Sequence, residues 1–266
     1  MKAVLTLFLV VACSGCAMLS GRLPDYDALT LSSNWDGPNA SVRYMNYLAP
    51  QVSQSAFEAT VRDMRAKGCN SMHLFLCNYA DGQPSGYSPY GKAWSGQLDA
   101  AWVKQAERKL AYARSKRLGI ALWWLADDSS PYTKRTEGEW LQLYEDVTQR
   151  TKLLAYASYT VLALEQGEHD WPVARVARQI EALRALTKKR VGTHENSGGL
   201  TYAHLGDIPH YQVDPGKSAV WIVGEAARVH ALLGGRFWNF FELDRKSNRT
   251  LSEAALAGGA FAVGNW

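Results

Sequence analysis

The chain has 266 residues, of which 47% are hydrophobic and 20% are charged, and its formal net charge is +4. This length and composition suit one large globular domain with a sizeable core. The basic residues are scattered and form no block of five or six, which argues against a nucleic-acid partner.

The N-terminus has the pattern of a processing signal. Lys2 precedes an apolar run, 3–12, that is too short to span a bilayer with ease. "VVAC" ends at Cys13 and "CSGC" ends at Cys16, and both resemble the bacterial lipobox. We expect residues 1–16 to be a lipoprotein signal peptide, with Cys13 or Cys16 lipidated. The protein would then be held at the membrane of the bacterial cell envelope, outside the cytoplasm. A plain secretory signal is the alternative.

Two further cysteines, Cys69 and Cys77, stand at opposite ends of the run "CNSMHLFLC". A strand rises about 3.3 Å per residue, so its ends would lie more than about 20 Å apart. A disulfide needs Cα atoms within about 7 Å, so we expect both cysteines to be unpaired and buried. The mature chain has no CxxC pair and no zinc-ligand spacing, and we expect no metal and no cofactor.

Short apolar runs alternate along the chain with longer amphipathic runs. Ser53 is a plausible N-cap of the first helix and Gly68 its stop. The predicted strands are 28–35, 71–79, 120–130, 158–165, 190–195, 209–214, 236–244 and 260–266, and the predicted helices are 53–68, 98–119, 137–155, 173–189, 218–235 and 251–259.

Alternating strands and helices imply a parallel sheet, and eight strands favour a (β/α)8 TIM barrel over residues 25–266. No GxGxxG motif follows the first strand, which argues against a dinucleotide-binding fold. The predicted order ends on the eighth strand, so the final helix is missing from the predicted barrel. Either the barrel is uncovered there, or the segment before the first strand covers it, or the element count differs.

Polar residues follow most of the predicted strands. In a TIM barrel the active residues gather at the carboxyl ends of the strands. Alternation sends Val161, Ala163 and Glu165 to one side of the fourth strand, and Glu242 follows the apolar run of the seventh. Two carboxylates at one barrel mouth can divide into an acid and a nucleophile, which is what glycoside hydrolysis requires.

The stretch "FEATVRDMRAKGCNSMHLFL", 57–76, and the glutamates ending the fourth and seventh strands resemble glycoside hydrolase clan A, a group of retaining (β/α)8 glycosidases. The stretch from "LEQGEHDW" to "THENSGG", 164–199, is similar to a bacterial subgroup of barrel glycosidases, some described as collagenase-like. The resemblance implies that Glu165 is the acid/base and Glu242 the nucleophile. Clan members usually carry Asn before the acid/base, where this chain has Leu164, so Glu168 is a rival acid/base.

A sugar site would also need polar and aromatic side chains. The resemblance matches His194, and His210 with Tyr211, to polar positions around the sugar, and aromatic planes suit the flat faces of sugar rings. The residues that we expect to bind substrate are Trp35, Asp36, Asn78, Trp124, Asp127, His194, Glu195, His210 and Tyr211.

Three functions stay open. The first is a retaining glycoside hydrolase acting on an oligo- or polysaccharide. The second is a non-catalytic carbohydrate-binding surface lipoprotein on a barrel scaffold. The third is a metal-dependent hydrolase, although no HExxH motif supports it. A serine hydrolase is disfavoured because no GxSxG motif occurs. The sequence leaves the oligomeric state and the sugar open.

Overall fold

A computed structural model describes residues 46–66, 71–78, 86–92, 94–125, 135–163, 171–213, 216–241, 249–260 and 262–263. The predicted signal peptide and the predicted first strand lie outside these residues. So do Cys13, Cys16, Cys69 and six of the candidate site residues, namely Trp35, Asp36, Asp127, Glu165, Glu168 and Glu242.

Helices and strands alternate along the described chain. A short 3-10 helix, Asn46–Leu48, comes first. The α-helices are α1 Gln54–Ala66, α2 Ala100–Ser115, α3 Glu137–Arg150, α4 Leu153–Tyr156, α5 Val173–Leu186, α6 Ala219–Leu232 and α7 Arg249–Ala257. The strands are β1 Ser71–Cys77, β2 Gly119–Leu125, β3 Tyr159–Ala163, β4 Val191–Glu195, β5 Ile208–Gln212, β6 Asn239–Phe241 and β7 Ala262–Val263.

The seven strands of the described chain form one sheet in the order β1-β2-β3-β4-β5-β6-β7, and every neighbouring pair is parallel. Sequential parallel strands joined by helices are the arrangement of a TIM-barrel-like α/β fold. The predicted alternation is therefore confirmed for the elements inside the described residues. Every residue of β1, β2, β3 and β4 is buried, as expected for a sheet covered on both faces.

Side-chain caps fix the starts of at least three helices, among them α2 and α3. The Asp99 carboxylate accepts hydrogen bonds from the backbone N–H groups of Ala101 and Trp102, both at 3.0 Å, and so begins α2. Thr136 and Glu139 form a capping box at the start of α3. The N-terminal boundaries of these two helices thus follow from local chemistry.

One predicted helix, 137–155, is divided into α3 and α4. Thr151 adopts an extended backbone conformation, and its hydroxyl donates to Val147 O at 2.6 Å. The next backbone N–H, that of Lys152, donates to the Glu107 carboxylate of α2 at 2.7 Å. The helical ladder ends here because the Thr151 hydroxyl bonds the Val147 carbonyl and the Lys152 N–H has its partner outside the helix.

The connection from β4 to β5, residues 196–207, is described throughout and contains no helix. Its end is tied to β4 because the Asp207 carboxylate accepts from Val191 N at 2.8 Å and pairs with Arg184 of α5 at 2.6 Å. Arg236 donates to two carbonyls of the same connection, Ala203 O and Gly206 O. The connection is therefore ordered by ionic and backbone hydrogen bonds.

Three side chains of α2 hold the segment that precedes α1. Trp102 donates to Leu48 O at 3.0 Å, and Gln105 donates to the carbonyls of Pro50 and Val52. The fully buried Lys109 ammonium donates to the carbonyls of residues 47 and 49, at 2.7 and 3.2 Å. Burial lowers the pKa of Lys109 to about 8. We call the hydrogen bonds from Trp102, Gln105 and Lys109 to these main-chain carbonyls the carbonyl clamp.

Two apolar clusters fill the space between the sheet and the helices. The larger joins α1 to α5 with the outer sides of the early strands, and the smaller joins β5 and β6 to α6 and α7. Cys77 lies in the larger cluster as a free, buried thiol whose pKa is raised by burial, as expected for this position. Among the described helices, none combines the length and the apolar character that crossing a membrane requires.

Candidate active site

Polar side chains on one face of the sheet form a buried cluster separate from the two apolar clusters. We call it the interior cluster, and its members are His73, Trp123, Tyr159, His194, His210 and Asn239. They come from six different strands, β1 to β6, and each is at most 3% exposed. Side chains in a strand alternate between faces, so Val161 lies on the same face of β3 as Tyr159.

His210 is the centre of the interior cluster. Its Nδ1 lies 3.1 Å from Thr193 O and 3.0 Å from Ile208 O, and both are acceptors, so Nδ1 carries the proton. Its Nε2 is then an acceptor and lies 3.0 Å from the Tyr159 hydroxyl and 2.9 Å from Asn239 Nδ2. Asn239 Nδ2 also donates to the Tyr159 hydroxyl at 2.9 Å. These contacts define the tautomer of His210 and join β3, β5 and β6.

Gly192 makes room for the His210 ring. A Cβ at position 192 would lie 2.8 Å from Ile208 O and 2.9 Å from His210 Cε1, closer than real Cβ contacts. β4 therefore needs a residue without a side chain at this point, because the His210 ring lies against its backbone.

The three histidines of the interior cluster are neutral. Trp123 Nε1 donates to His73 Nδ1 at 2.9 Å, which requires the other tautomer from that of His210. Burial lowers the pKa of His73 well below its usual value and lowers the pKa values of His194 and His210 to about 3. A proton on any of them would be a buried charge, so the cluster is an uncharged floor across the pH range of most enzymes.

The structure brings His194 and His210 of the predicted set into the interior cluster, and it does not bring Trp124 there. The Trp124 ring packs edge-on against Tyr144 of α3, with ring centres 4.6 Å apart. The neighbouring Trp123 points to the interior instead, 5.0 Å from the His210 ring. Within the "WW" pair, the interior-facing indole is therefore that of Trp123.

Tyr211 also lies on the outer face of the sheet. Its hydroxyl donates to Glu225 of α6, accepts from Gly198 N at 2.6 Å, and lies 3.2 Å from Arg228. Burial and the neighbouring Glu225 carboxylate raise the pKa of Tyr211 to about 12. This side chain joins β5 to α6 and to the connection after β4.

Glu195 ends β4 on the face opposite His194. Its carboxylate accepts from Thr193 Oγ1 at 3.0 Å and from Tyr202 N at 2.9 Å, and the residue is 1% exposed. Burial raises the pKa of Glu195 to about 7, although the two hydrogen bonds work in the opposite direction. Tyr202 in turn donates from its hydroxyl to Trp171 O at 2.7 Å. Glu195 is thus a titratable group at a strand end, linked through Tyr202 to Trp171, which lies two residues before α5.

Asn78, the remaining described member of the predicted set, follows β1 and is buried. Its backbone forms an antiparallel bridge with Tyr87, through N–H···O distances of 3.0 and 2.9 Å. The aromatic residues of the described connections are also buried, at Tyr87, Tyr90, Trp94 and Trp171.

The carboxyl ends of β3, β5 and β6 lie just beyond the interior cluster. The register pairs His210 with Asn239 and Gln212 with Phe241, so Gln212 stands two residues closer to the strand ends on the interior face. Gln212 Oε1 and Asn239 Oδ1 have no hydrogen-bond partner among the described residues, although both are buried.

Several members of the interior cluster are not among the predicted site residues, because those were chosen at strand ends. The residues that were not predicted lie within strands, among apolar neighbours that give no signal of a polar site. They are His73, Trp123, Tyr159 and Asn239. The available signal was a polar or hydrogen-bonding side chain inside an otherwise apolar run, as in "HLFL" and "WNFF". In the described part of the chain, His, Cys, Asp and Glu side chains form no group of three or more that could hold a metal ion.

Comparison with known proteins by sequence finds no match. No protein-family model matches the chain, and no curated protein matches it.

Comparison by structure finds matches at low sequence identity. An endo-1,4-β-mannanase from Eisenia fetida gives a TM-score of 0.57 at 11% identity, over 92% of this chain and 86% of that one. GH5_18 from Bifidobacterium longum subsp. longum gives 0.60 at 12%, over 85% and 67%. A glycoside hydrolase family 5 protein from Bacteroides vulgatus gives 0.59 at 12%, over 84% and 57%. Another Bacteroides vulgatus structure gives 0.66 at 11%, and this chain spans about half of it, 51%. The described chain therefore has the TIM-barrel-like α/β fold of these glycoside hydrolases.

Proposed function

We propose that the protein is a retaining glycosidase of the clan A type, built on a (β/α)8 barrel with or without the final helix. Glu242 would attack the anomeric carbon while Glu165 protonates the leaving oxygen and then activates water. The observation that carries the proposal is the parallel, sequential sheet, in which the chain after β3 and the chain after β6 leave from the same end. Active sites of such sheets are at that end.

The two proposed acids follow closely on the carboxyl ends of β3 and β6. Glu165 stands two positions after Ala163, the last residue of β3. Glu242 directly follows Phe241, the last residue of β6, and neither glutamate belongs to the described part of its strand, so alternation determines the direction of neither side chain. Retaining glycosidases keep their two carboxyl groups about 5 to 5.5 Å apart.

The substrate is proposed to be a β-linked oligo- or polysaccharide. The mannanase match and the GH5_18 structures in complex with Manb1-4GlcNAc make β-mannosides the first class to test. Uncharged acceptors and donors around the floor, such as Gln212 and His194, suit neutral sugars better than acidic ones. The predicted contacts Trp35, Asp36 and Asp127 belong to the same proposal.

Hydrolysis of a glycan panel tests the function. We expect the wild type to release product from β-1,4-mannan or Manb1-4GlcNAc with retention of anomeric configuration. NMR of the freshly formed product measures that configuration. Glu165→Gln and Glu242→Gln should each lower kcat at least about a thousandfold. Glu168→Gln tests the rival acid/base, and Glu181→Gln, an exposed change on α5, is the matched control.

The carbohydrate-binding alternative rests on Leu164, which stands where the clan usually has Asn. It predicts that the panel shows binding by calorimetry with no product from any glycan. That result would overturn the glycosidase proposal.

We also propose that the protein is lipid-anchored at Cys13 or Cys16 in a bacterial cell envelope. Mass spectrometry of the mature N-terminal peptide should show a diacylglyceryl cysteine at one of the two positions. Cys13→Ala and Cys16→Ala, made separately, identify which one, since only the loss of the modified cysteine releases the protein from membranes.

A further inference from the structure

The two strands proposed to carry the catalytic acids are joined directly across the interior. Asn239 of β6 donates to the Tyr159 hydroxyl of β3 at 2.9 Å, although β4 and β5 stand between these strands in the sheet. His210 of β5 completes the contact, because its Nε2 accepts from both residues. We call this group the strand tie.

The strand tie is buried and directional. Tyr159 is 1% exposed, His210 0% and Asn239 2%. Hydrogen bonds of 2.9 to 3.0 Å between such groups allow little movement, because a broken bond leaves a buried polar atom without a partner. The stacked rings of Tyr159 and His210, with centres 5.6 Å apart, add packing to the polar contacts.

The orientation of the Asn239 amide follows from His210. Because both carbonyls beside Nδ1 require the proton there, Nε2 must accept, and Asn239 must present its amino group. The reversed amide would bring its oxygen against the Nε2 lone pair. Since the pKa of His210 is lowered to about 3 by burial, this arrangement does not change between pH 5 and 9.

We propose that Asn239, with Tyr159 and His210, positions the ends of β3 and β6 and thereby sets the separation of the two catalytic carboxylates. This inference rests on the proposed function. The three side chains are positioning residues, since they act through the strands: Tyr159 lies four positions before Ala163, the end of β3, and Asn239 lies two positions before Phe241, the end of β6. A separation of about 5 to 5.5 Å is what directs retention instead of inversion.

The separation of two carboxylates can be measured without a substrate. When two carboxylates share a site, the charge of one raises the pKa of the other. The test uses protein with 13C-labelled glutamate carboxyl groups and follows the Glu165 signal in an NMR pH titration, with Glu165→Gln to assign it. The coupling is the fall in the pKa of Glu165 that Glu242→Gln causes. We expect about one pKa unit or more in the wild-type background.

Asn239→Leu and Tyr159→Phe should each reduce this coupling by at least half. Asn239→Leu removes the amide N–H donors together with the amide oxygen, which has no partner among the described residues. The unfolding free energy of this variant should therefore be only slightly lower than that of the wild type. Tyr159→Phe is a second, conservative variant that keeps the ring. Thr160→Val is the matched control: it removes a buried hydrogen bond of the same strand, from Thr160 Oγ1 to Leu122 O at 2.7 Å, and should leave the coupling unchanged.

The outcomes separate the two proposals. Coupling in the wild type that persists in both Asn239→Leu and Tyr159→Phe overturns the strand tie and leaves the catalytic pair standing. An equal loss in Thr160→Val also overturns it, because the effect would then be a general loosening of β3. No coupling in the wild type means that the two glutamates are not a pair, which overturns the proposed function and the inference built on it.

Discussion

Glu195 makes the stability of the protein depend on pH, and Glu195→Gln should remove that dependence. The wild-type carboxyl group has a pKa of about 7 in the folded protein, against an ordinary value of 4.5. Because the pKa of Glu195 is raised in the folded protein, its contribution to the unfolding free energy is complete below pH 4.5. That contribution is lost as the pH rises through 7.

The size of the effect follows from the pKa difference. The difference is about 2.5 units, and each unit corresponds to 1.36 kcal/mol, so the wild type should lose roughly 3 kcal/mol of unfolding free energy between pH 4.5 and pH 8. A glutamine keeps both contacts, because its carbonyl accepts from Tyr202 N and its amino group donates to Thr193 Oγ1. Glu195→Gln should therefore become more stable than the wild type, by roughly that amount, only at the higher pH.

Urea unfolding followed by tryptophan fluorescence at pH 4, 5, 6, 7 and 8 measures both proteins. Glu181→Gln on α5 controls for the loss of one carboxyl group from an exposed position. Parallel stability curves for the wild type and Glu195→Gln across this range would refute the reasoning, since Glu195 would then titrate alike in the folded and unfolded states.

Three further changes test other parts of the structure. Gly192→Ala should lower the unfolding free energy by about 1 to 3 kcal/mol, because the new methyl group overlaps the His210 ring. Gly138→Ala is the control, since a Cβ there would have nothing within 4 Å and should not lower the unfolding free energy. Thermal unfolding compares the two variants. Lys109→Met should remove a pH dependence of the opposite sign, since the pKa of Lys109 is lowered in the folded protein. In urea unfolding, the unfolding free energy of the wild type should rise by roughly 3 kcal/mol relative to that of the variant between pH 8 and 10.5. An equal change of unfolding free energy with pH in both proteins would contradict the burial of the ammonium. Thr136→Ala should cost about 1 kcal/mol by removing the capping box of α3, and an unchanged urea midpoint would show that this cap contributes nothing.

The elements could be predicted because their signals are local. In α1 the apolar residues Phe57, Val61 and Met64 recur at helical spacing, and all three are buried in the structure. The runs "SMHLFLC" and "GIALWWL" are apolar throughout, which is the pattern of a strand covered on both faces. The interval 196–207 is rich in glycine and polar residues and forms a connection without a helix.

The interior cluster could not be predicted in the same way. In a run where every residue is apolar, nothing local determines which face each side chain takes, so Trp123 and Trp124 are equivalent in the sequence. Their difference arises from the neighbours, His73 and His210 on one side and Tyr144 on the other. Such contacts join residues 20 to 87 positions apart, and spacing rules do not reach that far.

The carbonyl clamp constrains the length of the segment that it holds more strongly than its composition. Gln105 and Lys109 bind main-chain oxygens, which every amino acid carries. The side chains at 50 and 51 are exposed, so substitution there leaves the clamp intact, whereas one inserted residue would shift the later carbonyls out of reach of the same donors. Homologous chains that keep these donors on α2 should therefore differ freely in residue type at 50 and 51 and should show no insertions or deletions there.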